Sequence, residues 1–308
     1  MLLEEIQRRA STDPRAFVAA CETNFKERIH TLADAVARDA ERCPFVLISG
    51  PSGSGKTTTA HRIAERLKQT GLEAHIISLD NYFRTFTPEE TELFLRHELD
   101  LESPDRMNGE LLSSQLELLV KGQEVELPRY DFTTNASQPS GKIIKLHRGE
   151  VLIFEGIHAL NPSVLGSSDD YSTRIYVSVR TRIDHPSAEG RALLHPSKVR
   201  VARRMIRDRR ERARSLSAVA ELYGSVERGE NLYIMPYKHR ADFDVDTFVP
   251  YELCVYKSFL PTGLPEDEAK HAWLTEMFDV LNALPTIDAQ LIPKDSLMRE
   301  FIGKVYTF

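Results

Sequence analysis

The stretch FVLISGPSGSGKTTTA, residues 45–60, restricts the fold of this chain more than any other. A short apolar, β-rich run, Phe45–Ser49, leads into a complete G-x-x-x-x-G-K-[ST] pattern, after which Ile63, Ala64 and Leu67 recur at helical spacing. Strand, glycine-rich loop and helix in this order are the context of a P-loop. Backbone N–H groups of such a loop and the N-terminus of its helix surround an anion. The sequence therefore predicts a binding site for ATP or GTP.

Individual residues of this loop have predictable roles. Lys56 is expected to reach the β- and γ-phosphates, and the Thr57 hydroxyl is expected to ligate Mg²⁺. The other predicted nucleotide contacts lie in the loop and directly after Thr57: Gly50, Ser52, Gly53, Ser54, Gly55 and Thr58. A chance glycine-rich turn is the alternative, and the flanking strand and helix argue against it.

Further strand-like and helix-like segments alternate along the chain. Residues 74–79 (AHIISL), 150–156 (EVLIFEG) and 174–179 (RIYVSV) have the composition of buried strands, with helical patterns between them. This alternation predicts an α/β fold with a doubly wound, mostly parallel sheet of the P-loop NTPase type.

Composition narrows the partners and the compartment. The chain has 308 residues and a formal net charge of −6, so its surface as a whole is no nucleic-acid footprint, and no stable nucleic-acid partner is expected. Its three cysteines are scattered, which fits a reducing compartment without a zinc site or disulfide framework. The charged start and the absence of a long apolar run predict a cytoplasmic protein with no membrane partner. The number of subunits stays open, a homo-oligomer included.

Two carboxylates stand at the ends of predicted strands, where open α/β sheets place ligand-handling residues. Glu155 is predicted to hold Mg²⁺ through water, and an exposed strand-end acid is the alternative. Asp80 is predicted to face the γ-phosphate and to accept a proton from an incoming hydroxyl, with a capping role as its alternative.

An arginine-dense helix is predicted over residues 197–214. Its basic residues are Lys198, Arg200, Arg203, Arg204, Arg207, Arg209, Arg210, Arg212 and Arg214. Guanidinium groups bind phosphate in a bidentate manner, so this segment is interpreted as a lid that closes over ATP. A solvated basic face and an RNA-binding surface are the alternatives.

Several motifs together resemble the uridine kinase and phosphoribulokinase family of P-loop small-molecule kinases. In chain order they are GPSGSGKTT, SLDNYF, SPDRMNGELL, VKGQEVELPRYDF, LIFEGIHALNP, ARRMIRDRRERAR and PYKHRAD, and they span residues 45 to about 250. The segments YELCVYK and IPKDSLMREFIG resemble the longer bacterial nucleoside kinases. The N-terminal segment of those kinases that is similar to threonyl-tRNA synthetase is expected to be absent here, or reduced to the first 44 residues.

The resemblance implies a role for each matching position. Asp80 would be the general base for the nucleoside 5′-hydroxyl, and Asp105 with Arg204 would bind the ribose hydroxyls. Tyr130 would pack near the base. The phosphates would be bound from the lid by Arg207, Arg212 and Arg214, with Arg207 also counted as catalytic and as touching the substrate.

Two positions depart from the short uridine–cytidine kinases. Asn135 stands where those enzymes have a histidine that contacts the pyrimidine, and Ser137 stands where they have arginine. Asparagine still offers a donor and an acceptor, so Asn135 is predicted to contact the base. Uridine is the expected substrate, with cytidine and thymidine left open.

The patterns along the chain, together with the resemblance, predict a division of the chain. Residues 1–44 form an N-terminal helical extension, residues 45–260 a P-loop kinase domain, and residues 261–308 a C-terminal helix and tail packed on it. Within the kinase domain, a β-hairpin over about residues 123–148 and a lid over about residues 195–216 would close on the substrates. The alternatives are a kinase of the same superfamily for another hydroxylated small molecule, and a non-catalytic nucleotide-binding or RNA-associated regulator.

Overall fold

A computed structural model describes residues 1–166, 168–187, 190–261 and 273–303. The strands are β1 (Phe45–Ser49), β2 (Glu73–Ser78), β3 (Val125–Asp131), β4 (Ala136–Ile144), β5 (Glu150–Glu155), β6 (Ser172–Ser178), β7 (Ile183–Ser187), β8 (Gly190–Leu194) and β9 (Phe243–Asp246). The helices are α1 (Leu3–Thr12), α2 (Pro14–Asp39), α3 (Lys56–Gln69), α4 (Pro88–Leu95), α5 (Gly109–Val120), α6 (Pro162–Leu165), α7 (Pro196–Arg212), α8 (Leu216–Gly229), α9 (Glu252–Tyr256), α10 (Thr275–Ala283) and α11 (Arg299–Ile302).

A five-stranded parallel sheet in the order β2-β5-β1-β6-β9 forms the centre of the molecule. All five residues of β1 are buried, because core clusters cover both faces of the sheet. In the pairing of β1 and β2 with β5, Ile48 and Ser78 both lie opposite Glu155. The carboxyl ends of these three strands therefore meet at one edge, and the predicted α/β fold with a parallel sheet is confirmed.

The chain before β1 forms two helices. The side chain of Asp13 accepts a hydrogen bond from the Ala16 N–H, which caps α2, and Pro14 starts that helix without a backbone donor to satisfy. The buried side of α2 includes Phe25 and Ile29, which belong to the same core as the sheet. The division into residues 1–44, 45–260 and 261–308 stays a prediction.

Two antiparallel hairpins project from the parallel sheet. Strands β3 and β4 pair with Tyr130 opposite Ser137, and β7 pairs with β8. Of the C-terminal helix and tail predicted over residues 261–308, helix α10 is observed, and residues 262–272 and 304–308 lie outside the described residues. Among the helices in the described ranges, none is long and apolar enough to cross a membrane.

Candidate active site

The glycine-rich loop after β1 has a backbone that other residues cannot adopt without strain. Gly53 and Gly55 have φ values of 73° and 85°. Gly50 has a φ of 155°, and a Cβ atom there would lie 1.9 Å from the carbonyl oxygen of Val177. The loop therefore approaches β6 closely and then turns its backbone toward the start of α3, as a phosphate cradle requires.

Lys56 is the first residue of α3, and its ammonium group lies among carboxylates. Its Nζ donates to the Pro51 carbonyl oxygen at 3.2 Å. Burial lowers the pKa of Lys56, while the negative charges of Glu155, Asp80 and Glu300 oppose that shift. The group is thus a half-buried cation at the N-terminus of a helix, where an incoming phosphate would meet it.

The two acids that the sequence analysis assigned to strand ends lie near Lys56. Glu155 is the last residue of β5, and burial raises its pKa, while Lys56 opposes the shift and Asp80 adds to it. Asp80 comes two residues after β2, in the short turn Leu79–Tyr82. The side chain of Asp80 is in contact with solvent, but the surrounding protein atoms partly desolvate its carboxylate, and this desolvation raises the pKa of Asp80. The positive charges of Lys56, Arg212 and Arg207 partly offset that increase.

The residues here fit a magnesium ion that arrives with a nucleotide. The Thr57 side chain is exposed at the first turn of α3, and Glu155 lies at the adjoining strand end. Within the described ranges, no group of three or more His, Cys, Asp or Glu side chains could hold a metal by itself. Mg²⁺ commonly takes one or two protein ligands and completes its shell with water and substrate phosphates, so this donor set is sufficient.

Helix α7 contacts the loop through two buried ion pairs. Arg203 is fully buried, lies 2.7 Å from Glu252, and donates from Nη1 to the Gly53 carbonyl oxygen at 3.1 Å. Arg200 pairs with Glu230 at 2.7 Å and donates to the Ser52 carbonyl oxygen at 3.2 Å. These two arginines fasten α7 to the loop, so only part of the predicted arginine cluster is available to a ligand.

Four of the remaining arginines gather around one buried acid, Asp208, whose side chain is 0 % exposed. Its carboxylate is shared by four guanidinium groups, at 3.4, 2.9, 3.4 and 3.7 Å, from Arg204, Arg207, Arg212 and Arg214. Arg204 also donates to the Ser52 hydroxyl at 3.2 Å. One carboxylate cannot neutralise four cations, and the surplus positive charge lies next to the phosphate cradle. All four arginines were predicted site residues, and the structure brings them together.

The residues predicted to bind the nucleoside lie around the segment 79–86, which also carries Asp80. The Tyr130 N–H donates to the Asn81 side-chain oxygen at 3.4 Å, and the Tyr130 ring packs edge-on against Phe83. Tyr130 is itself buried, and burial raises its pKa, while the charge of Arg106 opposes that shift. A base could therefore meet no more than an edge of this ring.

Asp105 and Asn135 are attached to the same segment through their backbones. Arg84 donates to the Asp105 carbonyl oxygen at 2.8 Å, a contact that does not involve the exposed Asp105 carboxylate. The Asn135 carbonyl oxygen accepts from the Phe86 N–H at 3.1 Å, and Asn135 has a φ of 52° in the hairpin turn. Asparagine tolerates this left-handed conformation, which is a second reason for its presence.

Two functional features were missed from the sequence. Asp208 stood inside the arginine run, and its spacing of four residues from Arg204 and Arg212 was the available signal. Glu300 carried no local signal. It accepts hydrogen bonds from the N–H and hydroxyl of Thr58, a residue that was predicted to bind nucleotide.

Comparison with known proteins agrees with this geometry. The family model described as "Phosphoribulokinase / Uridine kinase family" matches residues 45–184. A uridine kinase of Lactobacillus helveticus is 32 % identical over 244 residues, which cover 79 % of this chain and 97 % of that protein. A uridine kinase of Lactobacillus johnsonii is 32 % identical over 66 % of this chain and 86 % of its own length. Uridine-cytidine kinase 2-B of Danio rerio is 27 % identical, with 72 % and 77 % covered.

The matched range contains the glycine-rich loop, both acids and the hairpin, and the 244-residue alignment with the Lactobacillus helveticus protein is long enough to include the arginine cluster. A P-loop phosphotransferase site and relatives of this similarity lead to one conclusion: the chain belongs to the phosphoribulokinase and uridine kinase family and is a phosphotransferase of the nucleoside kinase group.

Proposed function

We propose that this protein is an ATP-dependent nucleoside kinase that transfers the γ-phosphate of ATP to the 5′-hydroxyl of a pyrimidine nucleoside, with uridine as the preferred acceptor. The products would be UMP and ADP, which places the enzyme in pyrimidine salvage in the cytoplasm. The names of the relatives support a nucleoside as the acceptor, and the P-loop supports a nucleoside triphosphate as the phosphate donor.

The position of Asp80 is the observation that carries the proposal. Its carboxylate interacts with Lys56 of the phosphate cradle, while the next residue, Asn81, contacts the Tyr130 backbone of the hairpin. Asp80 therefore lies where the nucleotide side and the predicted nucleoside side adjoin. A carboxylate at this junction can accept the proton of the acceptor hydroxyl. The hydroxyl oxygen then bonds to the γ-phosphorus while the bond from that phosphorus to ADP breaks.

The charge of the transferred group would be balanced by cations that are already close together. Lys56 would hold the β- and γ-phosphates, while Arg207 and Arg212 would contact the equatorial oxygens of the transferring group. Arg214 would bind the departing nucleotide. Thr57 directly, and Glu155 through water, would hold Mg²⁺, whose positive charge would offset part of the phosphate charge.

The acceptor would be positioned by its sugar. The exposed Asp105 carboxylate would accept hydrogen bonds from the ribose hydroxyls, with Arg204 beside them, and Asn135 would contact the base edge. Because Asn135 is the one residue assigned a hydrogen bond to the base edge, discrimination between uracil and cytosine would depend on one amide, which can donate and accept.

A coupled ADP-release assay tests the proposal. Purified protein with Mg²⁺ and ATP is offered uridine, cytidine, thymidine, adenosine, a sugar phosphate and pantothenate in turn. We expect ADP release to depend on a pyrimidine nucleoside, with the highest kcat/KM for uridine. As a control, 5′-deoxyuridine lacks the acceptor oxygen and should compete with uridine without releasing ADP.

Other outcomes identify the alternatives. If only the sugar phosphate or pantothenate stimulates ADP release, the substrate is another hydroxylated small molecule and not a nucleoside. ATP binding with no stimulation by any acceptor would indicate a nucleotide-binding regulator in place of a kinase.

A further inference from the structure

The C-terminal part of the chain, residues 288–303, crosses the start of the P-loop helix α3. The Leu297 side chain lies so close to Gly55 that a Cβ atom added there would be 2.7 Å from it. On the other side, Nη1 of Arg210, in α7, donates to the Phe301 carbonyl oxygen at 2.6 Å. We call residues 288–303 the C-terminal strap, and it connects the phosphate cradle to the arginine-rich helix.

The strap places a carboxylate on the cradle itself. Glu300 Oε2 accepts from the Thr58 backbone N–H at 3.2 Å and from the Thr58 hydroxyl at 2.6 Å. Thr58 is the third residue of α3, so its N–H is one of the donors at the helix start that have no carbonyl partner within the helix. Donors of this kind are those that bind phosphate in a P-loop.

The charge of Glu300 also reaches the P-loop lysine. Its negative charge is among those that favour the charged form of Lys56, together with Glu155 and Asp80. A nucleotide phosphate in the cradle would require the same donors and would lie next to a like charge. Glu300 and such a phosphate therefore cannot both hold Thr58 without a substantial electrostatic cost.

We propose that Glu300 is an internal competitor for the nucleotide phosphates, and that ATP binds only as the Glu300 carboxylate leaves Thr58. This inference rests on the proposed binding of ATP at the P-loop. The competition makes Glu300 a determinant of nucleotide affinity: it lowers the affinity for every phosphate ligand of the cradle, and Arg210 strengthens the effect by holding the strap in place.

Titration calorimetry of the full-length protein with Mg-ATP, without an acceptor, tests the competition. Because glutamine keeps the size of Glu300 but removes its charge, Glu300→Gln should bind Mg-ATP about tenfold or more tightly than the wild type. Inorganic tripolyphosphate, which has no base or sugar, should show the same gain. Arg210→Gln, which removes the contact with Phe301, should tighten binding by a smaller factor.

Asp295→Asn is the matched control, because it removes one negative charge from the same strap. Asp295 is exposed and lies 3.7 Å from Arg62, with no contact to Thr58 among the described residues. The Asp295→Asn protein should bind Mg-ATP with the same affinity as the wild type. An affinity of Glu300→Gln equal to or weaker than the wild type would overturn the inference.

The proposed function fails by a different result. A wild type that binds Mg-ATP but phosphorylates no nucleoside would refute the proposed reaction, while the comparison with Glu300→Gln would still decide the competition. Absence of ATP binding in both proteins would overturn both.

Discussion

The two sides of the site differ in how their side chains are held. On the nucleotide side, the ion pair of Arg203 with Glu252 is fully buried, and Asp208 gathers four arginines while 0 % of its side chain is exposed. On the acceptor side, Asp105 is exposed, and Phe132 at the hairpin turn keeps 63 % of its surface in solvent.

This contrast has a physical consequence for catalysis. Charges that are fixed before the ligand arrives need no reorganisation during transfer, so the nucleotide side can stabilise the transition state for any acceptor. Each exposed side chain contributes less to the stabilisation of the transition state, and its substitution costs little folding stability. Substitutions on the nucleotide side should therefore cause large losses for every acceptor, and those on the acceptor side should cause small, acceptor-dependent changes.

The largest effect is expected for Lys56→Ala. No other residue of the loop can neutralise the β- and γ-phosphates, so steady-state kinetics should show a loss of turnover of at least about a thousandfold with every nucleoside. Lys68→Ala, an exposed lysine in the same helix, serves as the control and should retain full activity. Activity of Lys56→Ala within about tenfold of the wild type would contradict the assigned role of the loop.

Asp80→Asn should lower kcat by roughly two to three decades while ATP and nucleoside still bind. Asparagine keeps the size and hydrogen bonding of the side chain but cannot take the proton. Single-turnover kinetics measure transfer, and calorimetric titration measures binding. If ATP binding collapses while kcat survives, Asp80 is a metal or structural residue.

The raised pKa of Asp80 predicts how the rate of transfer depends on pH. As the pH is lowered, Asp80 takes up a proton and can no longer act as a base. The wild-type rate should therefore begin to fall at a higher pH than it would with an aspartate of ordinary pKa. In Asp80→Asn this acid limb should be absent.

The buried His158 predicts a pH dependence of folding stability. Burial lowers its pKa to about 4, a shift that a backbone contact with Glu102 opposes. The unfolded chain binds a proton near pH 6.5 and the folded chain does not, so stability should fall by about 3 kcal/mol as the pH drops from 6.5 to 4. Urea unfolding at several pH values should show a flatter profile for His158→Leu than for the wild type. An unchanged profile in His158→Leu would mean that another group accounts for the acid limb.

Asp105→Asn should raise the KM for the nucleoside about tenfold and leave the KM for ATP unchanged, because a charged acceptor for the ribose hydroxyls is lost. The exposed Glu110, close to it in sequence, offers the control Glu110→Gln. An unchanged nucleoside KM in Asp105→Asn would remove the ribose assignment.

The smallest effect is expected at Asn135. Asn135→His should change the ratio of kcat/KM for uridine to that for cytidine by a few-fold, since the hydrogen-bonding groups that face the base differ. Asn135→Gly keeps the left-handed backbone that the turn requires and removes the side chain. If neither variant changes any ratio, Asn135 is a turn residue and does not contact the base.

The nucleotide side was the more predictable side of the site. The spacing of Gly50, Gly55 and Lys56 has one common structural solution, and Glu155 follows from a strand that ends at the same edge. The parallel sheet followed from buried apolar strands that alternate with helices. Such features depend on local patterns, which a single sequence contains.

Other features depend on contacts between distant parts of the chain. Glu252 neutralises Arg203 across 49 residues, and Glu300 reaches Thr58 across 242 residues. Neither pairing has a periodic signature, so the arginine run was interpreted as a single lid although two of its members are buried in ion pairs. The positive φ of Asn135 was also hidden, because asparagine suits both a turn and a base contact.

The most direct test of the account is the identity of the transferred group and its acceptor. Wild-type protein is incubated with Mg²⁺, ATP and uridine, and the products are followed by ³¹P NMR. We predict ADP and uridine 5′-monophosphate in equal amounts, and neither with Lys56→Ala. ADP formed together with inorganic phosphate, at a rate that does not depend on uridine, would contradict the account.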